Sequence, residues 1–448
     1  MSFTEKYAQA FRKILPSPFS IAIILTLFTA ILTLFTSDKS ATTLLVDWQN
    51  GLWSTSLLAF AFQMMLMLVL GHALALSKAF NSLIATLIQP LKTTAKAAAI
   101  ITLATILVAF LNWGLALIFG AIMARKIGEK FSKQQMPLNY PLIGAAGYVG
   151  LMVWHGGISG SALAKAAESG HIQQLAGNTS LPLSISYGQT VFSTMNMVAF
   201  ALLLVVIPSV FYMLGKRSKP TIINLKIDQL STKKQEHHLG AEKIDHSPIF
   251  STIIGIALLS IAIYLAVTYA GPKLGFITPN YINFAMLGLC ILLHKNFHAF
   301  LHAIDSAIQG SSGILIQFPL YFGILALMQS GGLIELISNT FIEISTPGTL
   351  PILTFLSAGL VNIFVPSGGG QWAIQGPILL EAATQMNVPL PKMILALAYG
   401  DQLTNMLQPF WALPLLSITG LKARDILPYT LVLFALGLVI FLLILFIF

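Results

Sequence analysis

AGLVNIFVPSGGGQWAIQGP, from Ala358 to Pro377, has apolar arms around a middle that a continuous membrane helix would not carry. Between Asn362 and Gln371 stand a proline, three consecutive glycines and several uncharged polar side chains. Pro366 has no amide hydrogen to give a helix, while Gly368, Gly369 and Gly370 leave the backbone free to turn and to approach a ligand closely. Irregular backbone at membrane depth persists only where protein buries it or where it lines a wet cavity. The stretch is therefore a candidate binding site, and the remainder reads as scaffold around it.

The surroundings are those of a bilayer protein. Of 448 residues, 56% are hydrophobic and 9% charged, against roughly 25% charged in a soluble domain. Apolar runs of about 20 residues recur, the length a bilayer core requires. An all-α polytopic membrane domain follows. The net charge of +9 does not point to nucleic acid, because Lys and Arg lie between the apolar runs, where the positive-inside rule places them. Lys6, Arg12 and Lys13 precede an apolar run from Phe19 to Phe35 that is longer than a signal-peptide core and lacks an A-x-A site. We expect an uncleaved first span with a cytoplasmic N-terminus. The single cysteine, Cys290, sits in an apolar run and reads as a packing residue.

In order, residues 1–53 hold the N-terminus, the first span and a short outer loop with Asp38, Lys39 and Asp47. Repeat 1 is expected over 54–214. It has a span from Ser54 to Leu76, an amphipathic surface helix from Phe80 to Leu91, a hairpin at 97–124 and a broken helix at 140–166. An outer loop from Glu168 to about Tyr187 and a span from Val191 to Leu214 complete it. The hairpin follows from charge: Lys92 and Lys96 at one end, and Arg125, Lys126, Lys130 and Lys133 at the other, both favour the cytoplasm. One straight helix over that run would be about 42 Å long, more than a bilayer core needs. The tip then falls at Asn112, Trp113 and Gly114. HGGISGS, from His155 to Ser161, marks unwound backbone.

Residues 215–311 are expected to hold a cytoplasmic linker, whose His237 and His238 read as solvated loop rather than a metal site, and two connecting spans at Pro248–Ala270 and Phe276–Leu293. A connecting helix, Phe297–Ile308, follows. Repeat 2, over 312–448, has a span from Ile314 to Met328, a surface helix from Leu333 to Ile344 and a hairpin at 351–383. A broken helix at 393–416 passes through YGDQLTNMLQP, and the last span, Ile426–Phe448, ends in the periplasm. The expected total is about nine transmembrane helices plus two re-entrant hairpins. The order span, surface helix, hairpin, broken span, span occurs twice, first from outside and then from inside, which is an inverted-topology repeat with two interrupted helices. Asn112 lies 36 positions before Tyr148, and Asn362 lies 37 before Tyr399. Such repeats characterise secondary transporters, with solute bound near the midplane.

The expected interior holds no well-placed Lys or Arg, so an anionic solute would rely on amides and helix N-termini. Ser367, Gly368, Gly369 and Gly370, before a helix expected to start near Gln371, suit a carboxylate. Close packing between helices is the other use of such glycines. Asn112 and Asn362, one at each tip, can offer oxygens to a cation, offer amides to a carboxylate, or tie the turn's own backbone. Asp401 is an intramembrane carboxylate, costly unless it serves an ion or proton path, and Asn405 lies one turn beyond it. His155 can take a proton or bond the solute. Gly157 and Ser159 share its unwound stretch, and Gln408 flanks the second break. Trp113 and Trp372 either wall an apolar pocket or fill the core. No HExxH, GxSxG or paired-acid spacing occurs, which argues against an enzyme. No structural or catalytic metal is expected beyond Na⁺ at the hairpin tips.

VPSGGGQWAIQGP, from Val365 to Pro377, resembles the signature of the bacterial short-chain fatty acid transporters of the acetoacetate-uptake type. NWG at Asn112, GGISGS from Gly156, YGDQ from Tyr399 and QPFWALP ending at Pro414 are similar to the same family, and the likeness spans nearly the whole chain. The resemblance implies uptake of short-chain carboxylates such as acetoacetate or butyrate across a bacterial inner membrane. It also implies kinship with the wider ion-transporter group, whose hairpins and broken helices work by alternating access, often as dimers with an elevator motion. A homodimer is therefore an expectation. In dicarboxylate relatives each hairpin tip carries a Ser-Asn-Thr triplet; here Asn112 and Asn362 match its asparagine, and Trp113 or Ile363 stands where its threonine would be. Na⁺ and H⁺ both stay open as the coupling ion. Carrying a bare anion into a negative interior costs about 2.3 kcal/mol per 100 mV, so cation-coupled symport is the expected function. Export or exchange of another organic anion is the alternative.

Overall fold

The computed structural model describes residues 18–223, 225, 240–271, 274–309, 312–364, 368–408 and 411–448. The chain opens with α1 (Pro18–Thr36), α2 (Ala41–Leu52), α3 (Thr55–Leu76) and α4 (Lys78–Ile88). Next, α5 (Thr94–Leu111) and α6 (Trp113–Lys133) meet at Asn112. A short strand, β1 (Pro137–Leu138), leads to α7 (Tyr140–Tyr148), 3-10 turns at Val149–Met152 and Trp154–Gly156, and α8 (Ser161–Ala166). After α9 (His171–Ala176) and α10 (Thr194–Arg217), β2 (Thr221–Ile222) pairs antiparallel with β1. Four helices link the halves: α11 (Glu242–Asp245), α12 (Pro248–Thr268), α13 (Pro279–His294) and α14 (Phe297–Ile308). The second half has α15 (Ser312–Ser330), α16 (Leu333–Ile344), α17 (Leu350–Phe364), α18 (Gly368–Gln385) and α19 (Leu390–Thr404). A 3-10 turn at Asn405–Leu407, α20 (Leu413–Thr419) and α21 (Ala423–Ile447) finish it.

Six stretches among the described residues are long and apolar enough to cross a membrane: Leu57–Leu76, Thr94–Leu111, Tyr140–Ala166, Thr194–Arg217, Pro248–Thr268 and Ala423–Ile447. Three of the nine expected spans appear instead as shorter apolar helices, at Ala22–Thr36, Pro279–His294 and Leu315–Ser330. The expected span at 393–416 is not among the six, because its backbone stops being helical after Leu407. One of the six, Thr94–Leu111, falls where an arm of the first re-entrant hairpin is expected. The faces of α12 and α21 bearing Ile253, Ile256, Ile263, Leu443 and Phe446 are exposed, as suits contact with acyl chains.

Both helix pairs that turn back on themselves do so for visible reasons. Asn112 is extended (φ −154°, ψ 128°) and caps the following helix, its Oδ1 accepting from Leu115 N–H at 2.8 Å. The far end of α6 returns to the start of α5, where Lys130 Nζ donates to the carbonyls of Ile88, Gln89 and Leu91 at 3.0, 2.7 and 2.9 Å. In the second pair, Gln371 Nε2 on α18 donates to Ala358 O on α17 at 2.8 Å. Ser345, before α17, reaches Met386 Sδ, just after α18, at 3.5 Å.

Several helix contacts of the first half have a counterpart in the second. Helix α5 packs on α7 and α10 as α17 packs on α19 and α21, and α3 packs on α6 as α15 packs on α18. The interrupted helices run in opposite directions with their breaks side by side. Tyr140 OH, at the start of the first, donates to Thr419 O at the end of the second (3.0 Å). Tyr148 OH, at the first break, donates to Asn405 O and Gln408 O at the second (2.9 and 3.3 Å). Where α6 crosses α7 the backbones nearly touch: a Cβ on Gly120 would lie 2.0 Å from Gly147 O.

Two expected loops are folded structure instead. The segment with Asp38, Lys39 and Asp47 contains α2, N-capped by Ser40, whose Oγ accepts from Thr43 N–H at 3.2 Å. It packs on α15 through Trp48 and Gly51. Hydrogen bonding from Lys39 (2.9 Å) holds the Asp47 carboxyl below its ordinary pKa. The stretch from Glu168 to Tyr187 is no solvated loop: Ile172, Leu175, Leu181, Ile185 and Tyr187 are buried, because their apolar side chains fold the segment back onto the first broken helix. Ile185 N–H donates to Ala166 O at 2.7 Å. The linker leaves α10 through β2, and His237 and His238 lie outside the described residues.

Candidate functional site

The two breaks bring together residues 246 positions apart in the chain. His155 Nε2 accepts from Ala162 N–H at 3.1 Å, which leaves the imidazole proton on Nδ1, and Nδ1 donates to Asp401 Oδ2 at 2.6 Å. Both side chains are almost wholly buried, and Asp401 Oδ1 has no partner. Gln402, the neighbour of Asp401, takes the amides of His155 and Gly156 on its Oε1, both at 3.0 Å, and so fixes the unwound turn across from it. Asn196 on α10 closes the other side, donating to Gly156 O at 2.8 Å and accepting from Tyr399 OH at 2.9 Å.

Around Asp401 runs a network of amides. Asn362 is fully buried and lies within α17, two residues before its end, rather than at a tip. Its Nδ2 donates to Asp401 O, Thr404 Oγ1 and Asn405 Oδ1 at 2.8, 2.9 and 3.0 Å, an arrangement that fixes the orientation of the amide. Gln408 Nε2 donates to Asn362 O at 2.6 Å. Asn362 Oδ1, Gln408 Oε1 and Gln371 Oε1 are buried acceptors without a partner, as is Asp401 Oδ1. Buried oxygens in this state are costly, and the donor set, one carboxylate with neutral amide oxygens, fits a proton or a hard monovalent cation. Among the described residues no group of three His, Cys, Asp or Glu could hold a metal of another kind.

Next to this network is a small cavity of about 30 Å³, lined by Trp113, Trp154, Trp411, Ser161, Gly368, Gly369, Asn405, Met64, Leu151 and Phe318. A volume of this order holds one or two waters. Trp113 lies 5.6 Å from Trp154 and 5.5 Å from Trp411, centre to centre, and Trp154 stacks on His155 at 4.5 Å. The indole N–H groups of Trp113 and Trp154 are buried with no acceptor. Two unpartnered donors in a chamber whose other walls are mostly apolar can hold a carboxylate. A larger cavity of about 220 Å³ between α16, α17 and α18 is lined mainly by apolar side chains and touches neither Asp401 nor the tryptophans.

The expected site residues therefore divide. Trp113, Gly368, Gly369 and Asn405 line the cavity, and His155, Asp401, Asn362 and Gln408 form the polar network next to it, while Gln371 donates to Ala358 O and Gln375 Oε1. Asn112 caps its own turn and donates to Met67 O and Met286 Sδ at 3.4 and 3.3 Å, so it braces the tip and does not line the cavity. Ser159 is likewise engaged, accepting from Trp113 N–H at 2.9 Å. Gly114 and Gly157 are contact points, where a Cβ would lie 2.9 Å from Leu68 O and 2.6 Å from Phe110 O. A Cβ added at Gly370 would run into the ring of Tyr321. Trp372 is fully buried but away from the cavity, its Nε1–H donating to His171 Nε2 at 3.0 Å. Ser367 lies outside the described residues.

Sequence reasoning missed Trp154, Trp411, Gln402 and a cation. Trp154 and Gln402 adjoin two residues it did select. The cation is Lys165, only 2% exposed on α8, bonded to Glu168 and, at 3.2 Å, to Gln63 Oε1. The expectation of an interior without a placed Lys or Arg is thus corrected: α8 follows the unwound turn and carries Lys165 inward, against the ring of Phe60 at 5.1 Å.

His171, on α9 between the spans ending at Ala166 and starting at Thr194, gives a pH prediction. Burial, and then the charge of Lys165, lowers its pKa from 6.5 to about 3. The unfolded chain therefore takes up this proton first. His171 contributes fully to stability above pH 6.5 and progressively less as pH falls toward 3, with a slope of up to about 1.4 kcal/mol per pH unit. Thermal unfolding in detergent from about pH 7 to about pH 5 should show this acid loss, and His171→Gln should flatten it.

Comparison with known proteins agrees with the architecture. The solved Alcanivorax borkumensis YdaH transporter, described as having an unusual topology, superposes with a TM-score of 0.63 at 16% identity, covering 96% of this chain and 98% of that one. Neisseria gonorrhoeae MtrF, described with a class of antimetabolite efflux pumps, gives 0.60 at 13% identity, covering 100% and 97%. These likenesses concern the fold. In sequence, the chain is 37% identical over 441 residues to an Escherichia coli protein named "Putative short-chain fatty acid transporter", covering 95% of this chain and 96% of that one. A Haemophilus influenzae protein of the same name is 36% identical over 425 residues, with 93% of each covered. The family model for short chain fatty acid transporters matches residues 2–448. The chain is thus a multi-pass membrane transporter rather than an enzyme, and it belongs to the short chain fatty acid transporter family.

Proposed function

We propose that this protein takes up short-chain monocarboxylates, of the size of butyrate and acetoacetate, by cation-coupled symport across a bacterial inner membrane. The observation that carries the reading is the tryptophan cavity beside the Asp401–His155 pair: two indole N–H groups without acceptors on one side of the Trp154–His155 stack, and a carboxylate oxygen without a donor on the other. The substrate carboxylate accepts from Trp113 and Trp154 and from amides at the start of α18, and its short tail lies against Trp411, Phe318 and Leu151. In the state described the cavity has room for about one or two waters, so a four-carbon acid enters only when the carrier's movement widens it, and a long chain is excluded. Because His155 is neutral, Asp401 brings an unbalanced buried charge, which a bound cation or proton removes before the carrier reorients.

The oppositely directed broken helices support an inverted-topology repeat working by alternating access, with the paired hairpins entering from opposite sides. In this reading the N-terminus is cytoplasmic, the C-terminus periplasmic, and the carrier assembles as a homodimer. The test is uptake of radiolabelled butyrate and acetoacetate into proteoliposomes with Na⁺ and pH gradients imposed separately. Uptake under either gradient names the coupling ion; none under both, from folded protein, overturns the reading. Trp113→Phe and Trp154→Phe keep an aromatic six-membered ring and remove the donor together with the rest of the indole, and each should raise KM about 10-fold or more, the worth of one hydrogen bond to a charged group. An unchanged KM would remove the indoles from recognition. Export or exchange of another organic anion is a second reading, favoured by the description of MtrF; counterflow from preloaded vesicles separates the two.

A further inference from the structure

We propose that Lys165 is an anion subsite on the route into the tryptophan cavity, taking the carboxylate of an incoming short-chain acid in exchange for that of Glu168; this rests on the uptake reading above. Lys165 is 2% exposed, whereas the side chain of its partner Glu168 is 32% exposed. The ammonium is inside, and the carboxylate that balances it is the one solvent reaches. The remaining contacts of Nζ are neutral: Gln63 Oε1 at 3.2 Å, itself on a side chain held by Asn280 at 2.9 Å, and the Phe60 ring at 5.1 Å. A substrate carboxylate that displaces Glu168 restores the same charge balance without leaving the lysine bare.

The position relative to the cavity is equally direct. Ser161, one helical turn before Lys165, and Met64, next to Gln63, both line the cavity. Phe60 is the layer between: a Cβ on the cavity residue Gly369 would lie 2.7 Å from Phe60 Cζ. The described cavity walls contain no Lys or Arg, so the chamber offers the anion neutral donors only. A charged contact one side-chain layer outside selects anions over their uncharged analogues before the tryptophans close on them, and movement of the Phe60 ring joins the two positions.

The experiment uses full-length protein, with butyrate uptake into proteoliposomes and the melting shift produced by sodium butyrate in detergent as a second readout. The charge-balanced double variant Lys165→Gln with Glu168→Gln avoids a lone buried charge and so should fold. We expect its KM to rise about tenfold, with kcat changed by less than about twofold, and its melting shift to shrink. Glu168→Gln alone removes the internal competitor but leaves Lys165 with neutral partners only, so it is assayed on the fraction that elutes monodisperse in detergent, where KM should fall about threefold. A double variant with the KM and melting shift of the unaltered protein would mean a structural ion pair and overturn the subsite alone. An unaltered protein that neither transports butyrate nor is shifted by it would overturn the uptake reading, and this subsite with it.

Discussion

Asp401→Asn should uncouple uptake from the ion gradient while leaving substrate exchange in place. The asparagine keeps an oxygen for His155 Nδ1–H, the contact now made at 2.6 Å, but it carries no charge for a cation to balance. Without the coupled cation the anion crosses alone, against a potential that costs about 2.3 kcal/mol per 100 mV. Steady-state accumulation at that potential should therefore fall by about 50-fold. Counterflow of butyrate between equal pools, which needs no net cation movement, should persist. The comparison of accumulation with counterflow in the same vesicles is the decisive measurement. Full gradient-driven accumulation by the variant would take Asp401 out of coupling and direct attention to the amide oxygens of Asn362 and Gln408.

The second large effect is expected at the glycine turn. A Cβ on Gly369 would already lie 2.7 Å from Phe60 and 3.0 Å from Phe318, and one on Gly368 would lie 2.6 Å from Trp154 and 2.8 Å from His155. Gly369→Leu drives a side chain into these rings and into the cavity they bound. Uptake should drop about 100-fold or more, the scale of misplacing reacting groups by an ångström, while overpacking costs about 1–3 kcal/mol of stability, which a large helical protein can tolerate. Monodisperse elution in detergent alongside lost uptake would fit this account. Normal uptake would exclude the start of α18 from the mechanism. The same distances show that the glycines are needed for close packing, and the rings pressed against them belong in part to the cavity wall.

Much of the site's composition was legible, though not its geometry. Asp401 and His155 stand out because a carboxylate and an imidazole within apolar, glycine-broken runs have few other uses. Trp113 and Trp372 read alike, as pocket wall or core, yet Trp113 lines the cavity and Trp372 lies away from it, bonded to His171. Asn112 and Asn362 look equivalent in sequence, yet one caps a turn and the other lies inside a helix, bonded to three acceptors. Residue type says what a side chain can bond, and the local backbone decides which partner it meets.

By itself the sequence determined the class of protein and the places where helices stop. Apolar runs of bilayer length, basic residues between them, and glycine and proline at the breaks act within a few residues of themselves, through transfer free energy and the helix's need for amide hydrogens. Contacts between distant segments were decided by tertiary structure alone. His155 meets Asp401 because two broken helices run antiparallel, Trp154 and Trp411 converge from opposite halves on Trp113, and Lys165 turns inward onto Phe60 and Gln63. The segment after Glu168 folds back because buried apolar side chains outweigh the polar residues around them. Such pairings depend on how whole helices dock, which sums many weak contacts over the entire interface, and no single stretch of sequence carries that sum.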